Sequence, residues 1–205
     1  MNVVEYAVEH GAWISDLTLY DLVSSPAAEP VLCYLIEKKI VDVNHTLDRW
    51  GVMIGFAVFR SRHALVRFLL AHGANPNFPV ASRAHKTTLE CAAQSSDAEM
   101  VKVLLEGGAN LGNNGPLCLA AEAGKLPVVE VLIGSGAKVN EMGLIGRDKR
   151  SLARLETPLH KAVRNGHADI ITVLLGAGAD NGIKNVQGQT VIGLAKDCGM
   201  EDALM

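Results

Sequence analysis

Hydrophobic residues recur along this 205-residue chain in short helical stretches that are separated by glycine-containing turns. In the clearest stretch, Leu159, Ala162 and Val163 have the i, i+3 and i+4 spacing that places residues on one face of a helix. A turn glycine, Gly166, separates this stretch from a second apolar run, which stops before Gly178. The pattern predicts two short helices joined by a tight turn, with their apolar faces buried.

The same module recurs at four other positions in the chain. The first helix of the clearest copy opens at Thr157, and 21 residues separate Thr157 from Gly178, beyond the end of the second helix. The same step back from the other helix exits gives four further openings, namely Thr18, Val52, Thr87 and Gly115. We therefore expect five helix pairs of constant length. A single pair this short cannot bury its own apolar face, so the pairs are expected to stack around one continuous core.

The clearest module carries further landmarks. Its sequence is T-P-L-H at 157–160, A-V-R-N-G-H at 162–167 and G-A-G-A-D at 176–180. Thr157 can cap the first helix, and Pro158 costs no hydrogen bond in the first turn. This run resembles the ankyrin repeat, which is marked by a TPLH box, an A-A-x-x-G-H turn and a G-A-D-x-N exit. The resemblance implies an all-α ankyrin-repeat solenoid of helix–turn–helix units with short β-hairpin or loop fingers.

The predicted array forms a single domain over residues 1–205. Its expected parts are a half repeat at 1–15, repeat 1 at 16–49, repeat 2 at 50–84, repeat 3 at 85–112, repeat 4 with a long connector at 113–154, repeat 5 at 155–187 and a terminal half repeat at 188–205. Half repeats at the ends indicate either a segment of a longer array or unusual caps. The apolar residues Val4, Tyr6 and Val8 would then need cover, which self-association through uncapped ends would supply.

Repeats 1 and 2 depart most from the pattern. Lys39 and Ile40 stand where other second helices end in Gly-Ala, and Val52 opens repeat 2 without a capping side chain or a proline. A non-glycine residue in the left-handed conformation costs about 1 kcal/mol. We therefore expect the helix before Lys39 to end differently from the others.

The connectors between helix pairs vary in length although the helix pairs do not. From each exit to the next opening they span 7, 13, 14, 7, 21 and 12 residues, and a connector of about 12 matches the finger of the family. The connectors 11–18 and 108–115 are too short for a full finger. The longest, 136–157, includes a basic, partly apolar stretch with Arg147 and Arg150. It is either an arm that grips a partner or a solvated insertion.

In proteins that resemble this one, partners usually dock on the concave side, which is made by the finger tips and the exposed ends of the first helices. Phe59 places a large apolar group where a polar one is normal, and Trp50 lies on the preceding finger; the alternative is that these two rings pack on each other. The predicted partner-binding residues are Trp50, Phe59, Arg60, Lys86, Gln94, Glu122, Arg147, Arg150, Glu156, Arg164 and Asn165.

Motifs for catalysis or metal binding are sparse. The seven histidines include no HExxH motif, and the repeat pattern accounts for His160 and His167 as residues that brace turns by hydrogen bonding. The four cysteines are scattered, without a CxxC pair. Glu5, Glu9 and His10 interrupt any apolar region of a signal peptide. No catalytic residue, cofactor or metal is predicted, and the expected location is the cytoplasm or the nucleus.

Composition and charge narrow the class of partner. The chain is 49% hydrophobic and 20% charged, as is ordinary for a folded protein, and its net charge of -3 does not favour a nucleic-acid partner. The longest uncharged apolar run, about 51–59, is too short to cross a bilayer. The partner is therefore expected to be another protein.

Three functions are open at this point. The favoured function is a protein–protein interaction scaffold that binds through its concave groove and finger loops. The alternative is a small-molecule-binding or catalytic protein with a pocket near repeats 3 to 5, for which Glu122, Glu156, His85 and Arg164 supply acid–base groups. A structural spacer is the third, and the aromatic Phe59 and Trp50 argue against it.

Overall fold

The computed structural model describes residues 10–11, 14–47, 51–78, 86–95, 97–112, 115–143 and 155–204. Within these ranges the α-helices are α1 (Asp16–Ser24), α2 (Glu29–Glu37), α3 (Met53–Phe59), α4 (His63–Ala71), α5 (Thr88–Ser95), α6 (Ala98–Glu106), α7 (Gly115–Glu122), α8 (Leu126–Gly134), α9 (Pro158–Arg164), α10 (Ala168–Gly176) and α11 (Val191–Cys198). Two short 3-10 helices lie at Pro26–Ala28 and Glu201–Leu204.

The helices α1 to α10 form five consecutive pairs, which confirms the predicted all-α solenoid. Sheet structure is limited, within the described ranges, to one small finger. Its strands β1 (Thr46–Leu47) and β2 (Gly51–Val52) are antiparallel, with Thr46 opposite Val52. A further antiparallel bridge joins Lys184 to Thr190 before α11.

The first helices of successive pairs, α3, α5, α7 and α9, pack side by side with α11 along one flank. They contact one another more extensively than the second helices do. Small buried residues permit this close approach, namely Ala57, Ala92, Ala93, Ala120, Ala121 and Ala162. The second helices carry larger Leu, Val and Ile side chains at their buried positions. The array therefore curves toward the first helices, and this concave side is the groove.

One apolar core runs the length of the array, from Leu19 in α1 to Ala195 in α11. Each second helix contributes buried aliphatic residues to it, such as Leu104 in α6 and Leu132 in α8. Because each pair is covered by its neighbours, stability is shared along the stack.

The helix before Lys39 ends in the same way as the others, so the expectation of a different ending was wrong. Lys39 is left-handed, with φ 57°, and Ile40 N donates to Leu35 O at 2.9 Å. The equivalent bond follows Gly73, which has φ 89°. The backbone hydrogen bonds that close the end of the helix therefore outweigh the steric cost of a left-handed Lys39. Ser61, at the turn between α3 and α4, is also left-handed, with φ 53°.

The first helix of repeat 1 begins earlier than the 21-residue step predicts. Ser15 is the N-cap of α1, and its hydroxyl accepts a hydrogen bond from Thr18 N at 3.2 Å. Thr18 therefore lies inside the first turn rather than before it. The second helix of the pair begins at Glu29 and keeps the expected register.

Asparagine side chains join neighbouring repeats at three of the helix exits. Asn77 Nδ2 donates to Gly108 O at 3.0 Å, and Asn77 Oδ1 accepts from Asn110 N at 2.8 Å. Asn44 and Asn140 make the same pair of bonds to the next repeat. These asparagine clasps hold the exits in register along the array.

Candidate functional site

Phe59 is the last residue of α3, at a position that the sequence predicts to face the groove. It is 68% exposed, which is unusual for a ring of this size. The guanidinium of the next residue, Arg60, lies over the Phe56 ring at 5.3 Å from the ring centre. Trp50 lies outside the described residues, so its packing against Phe59 stays a prediction.

The predicted groove residues of repeat 3 are joined by a hydrogen bond. Lys86, just before α5, donates from Nζ to Gln94 Oε1 at 2.7 Å. Gln94 is exposed near the end of α5. In repeat 5, Asn165 Nδ2 donates to Lys161 O at 2.8 Å, at the end of α9. Arg147 and Arg150 of the long connector lie outside the described residues.

Charged side chains from repeats 4 and 5 meet between α7 and α9. Glu156, directly before the cap Thr157, has a side chain that is only 5% exposed. Arg164 donates to it through Nη2, and through Nε at 3.4 Å. Asn185 Nδ2 donates to Glu156 Oε1 at 3.3 Å. Together with Lys161 and Glu122 these residues form a set that we call the α7–α9 cluster.

The neighbouring cations of the α7–α9 cluster keep the buried carboxylate of Glu156 ionised. Burial by itself would raise the pKa of Glu156, but the hydrogen bond from Arg164 and the charges of Arg164 and Lys161 outweigh burial and lower that pKa. The same hydrogen bond raises the pKa of Arg164. A buried carboxylate is stable only with such partners, so Glu156 serves to position the two cations.

Lys161 is the least satisfied member of the cluster. Its side chain is 7% exposed, and Nζ lies 3.4 Å from Glu122 Oε1 and 3.6 Å from Glu156 Oε2. Both distances exceed the roughly 2.7–2.9 Å of a charge-assisted N–H···O hydrogen bond. Glu122 is 42% exposed at the end of α7, so its carboxylate faces water on one side.

A cavity of about 470 Å³ opens beside this cluster. Its lining residues are Glu122, Glu156, Lys161, Arg164, Gln187 and Gln189. Three of the four residues suggested by sequence for a pocket near repeats 3 to 5 therefore meet at one place, and the fourth, His85, lies outside the described residues. Lys161 and the two glutamines were missed. The signal for Lys161 was a charge at a helix position next to the buried Ala162.

His160 and His167 brace turns, as the repeat pattern predicted. His160 Nε2 lies 3.1 Å from Gln189 O, which can only accept, so Nε2 carries the proton. Nδ1 then accepts from the Thr157 hydroxyl at 2.8 Å. His167 Nε2 donates to Glu122 O at 3.2 Å. Both rings are committed to structural bonds at the edge of the cavity.

Comparison with protein families decides what kind of array this is. A family model described as ankyrin repeats, in three copies, matches residues 19–114, 56–143 and 117–204. The chain belongs to the ankyrin-repeat family. Ankyrin repeats are generally protein–protein interaction modules.

Relatives of this ankyrin-repeat chain match parts of it. Ankyrin repeat protein FPV031 of fowlpox virus (strain NVSL) is 30% identical over 165 residues, which cover 75% of this chain and 46% of that protein. BRCA1-associated RING domain protein 1 of Caenorhabditis elegans is 37% identical over 81 residues, which cover 40% of this chain and 10% of that protein. Ankyrin repeat domain-containing protein 37 of Homo sapiens is 29% identical over 120 residues, which cover 56% of this chain and 68% of that protein. The chain spans less than half the length of the first two relatives.

A second and larger cavity of the ankyrin-repeat array, of about 600 Å³, lies at the turns between helices rather than in the groove. Its carboxylates are already engaged. Asp97 accepts from Met100 N at 2.9 Å and lies 3.0 Å from His63 Nε2, and Glu99 pairs with Arg67. These pairs hold the carboxylates of this cavity in place at the starts of α4 and α6.

The thiols of the ankyrin-repeat chain are unpaired, and the most buried of them is not activated. Cys33, Cys91, Cys118 and Cys198 are all free. Burial raises the pKa of Cys118 to about 12, and its Sγ donates to Glu156 O at 3.4 Å. Within the described part of the chain, no three His, Cys, Asp or Glu side chains group as metal ligands, and no helix is both long and apolar enough to span a bilayer.

Proposed function

We propose that this protein is an interaction scaffold that binds a partner protein in the groove formed by its first helices and fingers. The observation that carries the proposal is the exposure of Phe59 at the groove end of α3. Large aromatic side chains are favoured anchors at protein interfaces. The predicted contacts on the described residues are Phe59, Arg60, Lys86, Gln94, Glu122, Arg164 and Asn165.

Three further predicted residues belong to the proposal on sequence grounds. These are Trp50, Arg147 and Arg150, which lie outside the described residues. Glu156 has a different part in the proposal. Because its side chain is 5% exposed, it contributes by positioning Arg164 and Lys161 rather than by direct contact.

The test compares a groove variant with a matched control. Phe59→Glu adds a negative charge in the groove, and Thr172→Glu adds the same charge at an exposed position of the second helix α10. Tagged wild type and both variants are used to capture partners from cell extract. We expect wild type and Thr172→Glu to retain the same proteins, and Phe59→Glu to lose them while keeping its helical circular dichroism and melting temperature.

Equal capture by all three proteins would contradict groove binding. Arg164→Glu is less suitable as a groove variant, because it would place a new carboxylate beside the buried Glu156. Loss of binding could then follow from unfolding.

A second candidate function is the binding of a small molecule in the cavity beside the α7–α9 cluster. It is favoured by a volume of about 470 Å³, which is within the range of ligand sites. A thermal-shift screen of metabolites tests it. A compound that raises the melting temperature of wild type but not of Lys161→Met supports it, and a screen without any stabilising compound contradicts it.

We also propose an intracellular location, in the cytoplasm or the nucleus. The four free thiols support this, since disulfides form and persist in oxidising compartments. Fractionation of cells that produce the full-length protein tests it, and recovery from the secreted fraction would contradict it.

A further inference from the structure

Lys161 is a buried ammonium group with unused hydrogen-bonding capacity. It is 7% exposed, and its two ionic contacts, at 3.4 and 3.6 Å, are both too long for charge-assisted hydrogen bonds. An ammonium has three N–H donors, and burying them without acceptors is unfavourable. Lys161 also lines the cavity beside the α7–α9 cluster, so an acceptor that enters the cavity can reach it.

Arg164 adds donors to the same cavity. It uses Nε and Nη2 for Glu156, and its Nη1 hydrogens have no partner among the described residues. The side chain is 45% exposed. Both oxygens of Glu156 already accept hydrogen bonds, from Arg164 and Asn185. The carboxylates of Glu156 and Glu122 balance the charge of the two cations, but they leave the N–H donors of Lys161 and the Nη1 donors of Arg164 without a short hydrogen bond, so an acceptor that enters the cavity can use them.

We propose that this cavity binds a carboxylate, supplied by an aspartate or glutamate side chain of the partner protein, with Lys161 and Arg164 as donors. This inference rests on the proposed function and adds the chemistry of one contact. A planar carboxylate suits Arg164 in particular, because its two oxygens match the fork of the guanidinium. A carboxylate in the cavity would accept from the Lys161 ammonium in place of solvent.

The proposal makes a specific prediction for Glu122, namely that loss of its charge strengthens binding. Its carboxylate lies 3.4 Å from Lys161 Nζ and is half-exposed, so it holds part of the place that the incoming carboxylate needs. A second carboxylate beside Lys161 would be repelled by the carboxylate of Glu122. Binding therefore requires Glu122 to turn toward water. Removal of its charge is expected to strengthen binding, whereas removal of a cation weakens it.

The experiment uses the full chain and a defined probe. The probe is an acetylated and amidated pentapeptide with a single central glutamate between serines and glycines, and the control peptide has glutamine in its place. Binding is followed by ¹H–¹⁵N NMR, through the amides of residues 122, 161 and 164. We expect the glutamate peptide to give saturable shifts in the millimolar range, and the glutamine peptide to give none.

Two variants test the assigned roles. Glu122→Gln is expected to bind the glutamate peptide about threefold or more tightly than wild type, and Lys161→Met about tenfold more weakly, since each change alters one short-range charge interaction. Glu122→Gln keeps the proposal testable even where Lys161→Met fails to fold. Unchanged or weaker binding by Glu122→Gln would overturn the assigned role of Glu122.

A further titration distinguishes a carboxylate on a protein side chain from a free small carboxylate. Free glutarate is titrated in parallel. If glutarate binds and the peptide does not, the cavity takes small carboxylates and the assignment to a partner side chain is wrong. If neither binds, the carboxylate site is wrong. A failed partner capture with intact peptide binding would instead overturn the proposed function alone, so the two failures can be told apart.

Discussion

Lys39 and Ser61 have left-handed backbone conformations without being glycine, with φ 57° and 53°. Glycine adopts this conformation without the steric cost that a Cβ imposes. We predict that Lys39→Gly and Ser61→Gly each raise the free energy of unfolding by about 1 kcal/mol, as measured by urea denaturation. The control is Glu37→Gly at the end of α2, which is expected to lower it by about 0.5–1 kcal/mol. Destabilisation by Lys39→Gly would contradict the assigned conformation.

His160 makes stability depend on pH. Burial lowers the pKa of His160 below its ordinary value of 6.5, so the folded protein binds this proton less tightly than the unfolded chain does. The contribution of neutral His160 to the free energy of unfolding is complete above pH 6.5, the pKa in the unfolded chain. It is lost as the pH falls from 6.5 through the lower pKa of His160 in the folded protein. The pKa of Glu156 is lowered from 4.5, so its contribution is lost only in more acidic solution.

We predict that the free energy of unfolding of the wild type falls between pH 7 and pH 5.5 by more than that of His160→Gln, which cannot titrate there. Guanidinium denaturation at both values measures the difference. If the free energy of unfolding fell equally with pH in the two proteins, a group other than His160 would be responsible for the fall.

Glu156 holds two cations in place, and its loss would leave Lys161 without a close counter-ion on one side. Breaking a buried ion pair from one side costs about 3 kcal/mol. We therefore predict that Glu156→Gln lowers the free energy of unfolding by about this amount, and that Glu156→Gln with Lys161→Met loses less. Chemical denaturation of the single and double variants measures both, and a loss below about 0.5 kcal/mol for Glu156→Gln would contradict a buried pair.

At the scale of elements, the asparagine clasps join exits that the helices alone would leave free to shift. Asn77→Ala removes two hydrogen bonds to the next repeat and is predicted to cost about 1–2 kcal/mol in the free energy of unfolding. Asn110→Ala is the control, because the Asn110 side chain accepts from Gly112 N within its own turn. Equal costs for the two variants, by urea denaturation, would argue against a role of the clasp between repeats.

The start of a helix could be predicted where a capping residue stood at the position given by counting 21 residues back from the helix exit. Thr87 and Glu90 show this: Thr87 Oγ1 accepts from Glu90 N at 3.1 Å, while Glu90 Oε2 accepts from Thr87 N at 2.7 Å. The start of α1 could not be predicted by spacing, because Ser15 and Thr18 are both capping residues and only packing decides between them. The ending at Lys39 was missed since local steric cost was weighed without the backbone bonds that offset it.

At the scale of the whole molecule, the cavity shows what sequence leaves out. Glu122, Glu156 and Arg164 were each suggested as candidates, but their meeting depends on how repeats 4 and 5 stack across a long connector. Gln187 and Gln189 come from the next finger, and nothing in their own sequence marks them. Spacing within a repeat could be predicted, whereas contacts between repeats required the stack itself.

The curvature of the array depends on small residues in the first helices. Ala120 in α7 is fully buried where α7 packs against α5 and α9. A larger side chain there forces these helices apart, so Ala120→Leu is predicted to cost about 1–3 kcal/mol in the free energy of unfolding. Because each repeat is stabilised by its neighbours, a weakened centre is also expected to broaden the unfolding transition measured by circular dichroism.

The control for this change is Ala123→Leu, just beyond the end of the same helix, where the side chain is exposed. It is expected to change the free energy of unfolding by no more than about 0.5 kcal/mol. If Ala120→Leu were as well tolerated as Ala123→Leu, the first helices would not be in close contact. The concave groove, which exists because those helices lie closer together than their partners, would then need another explanation.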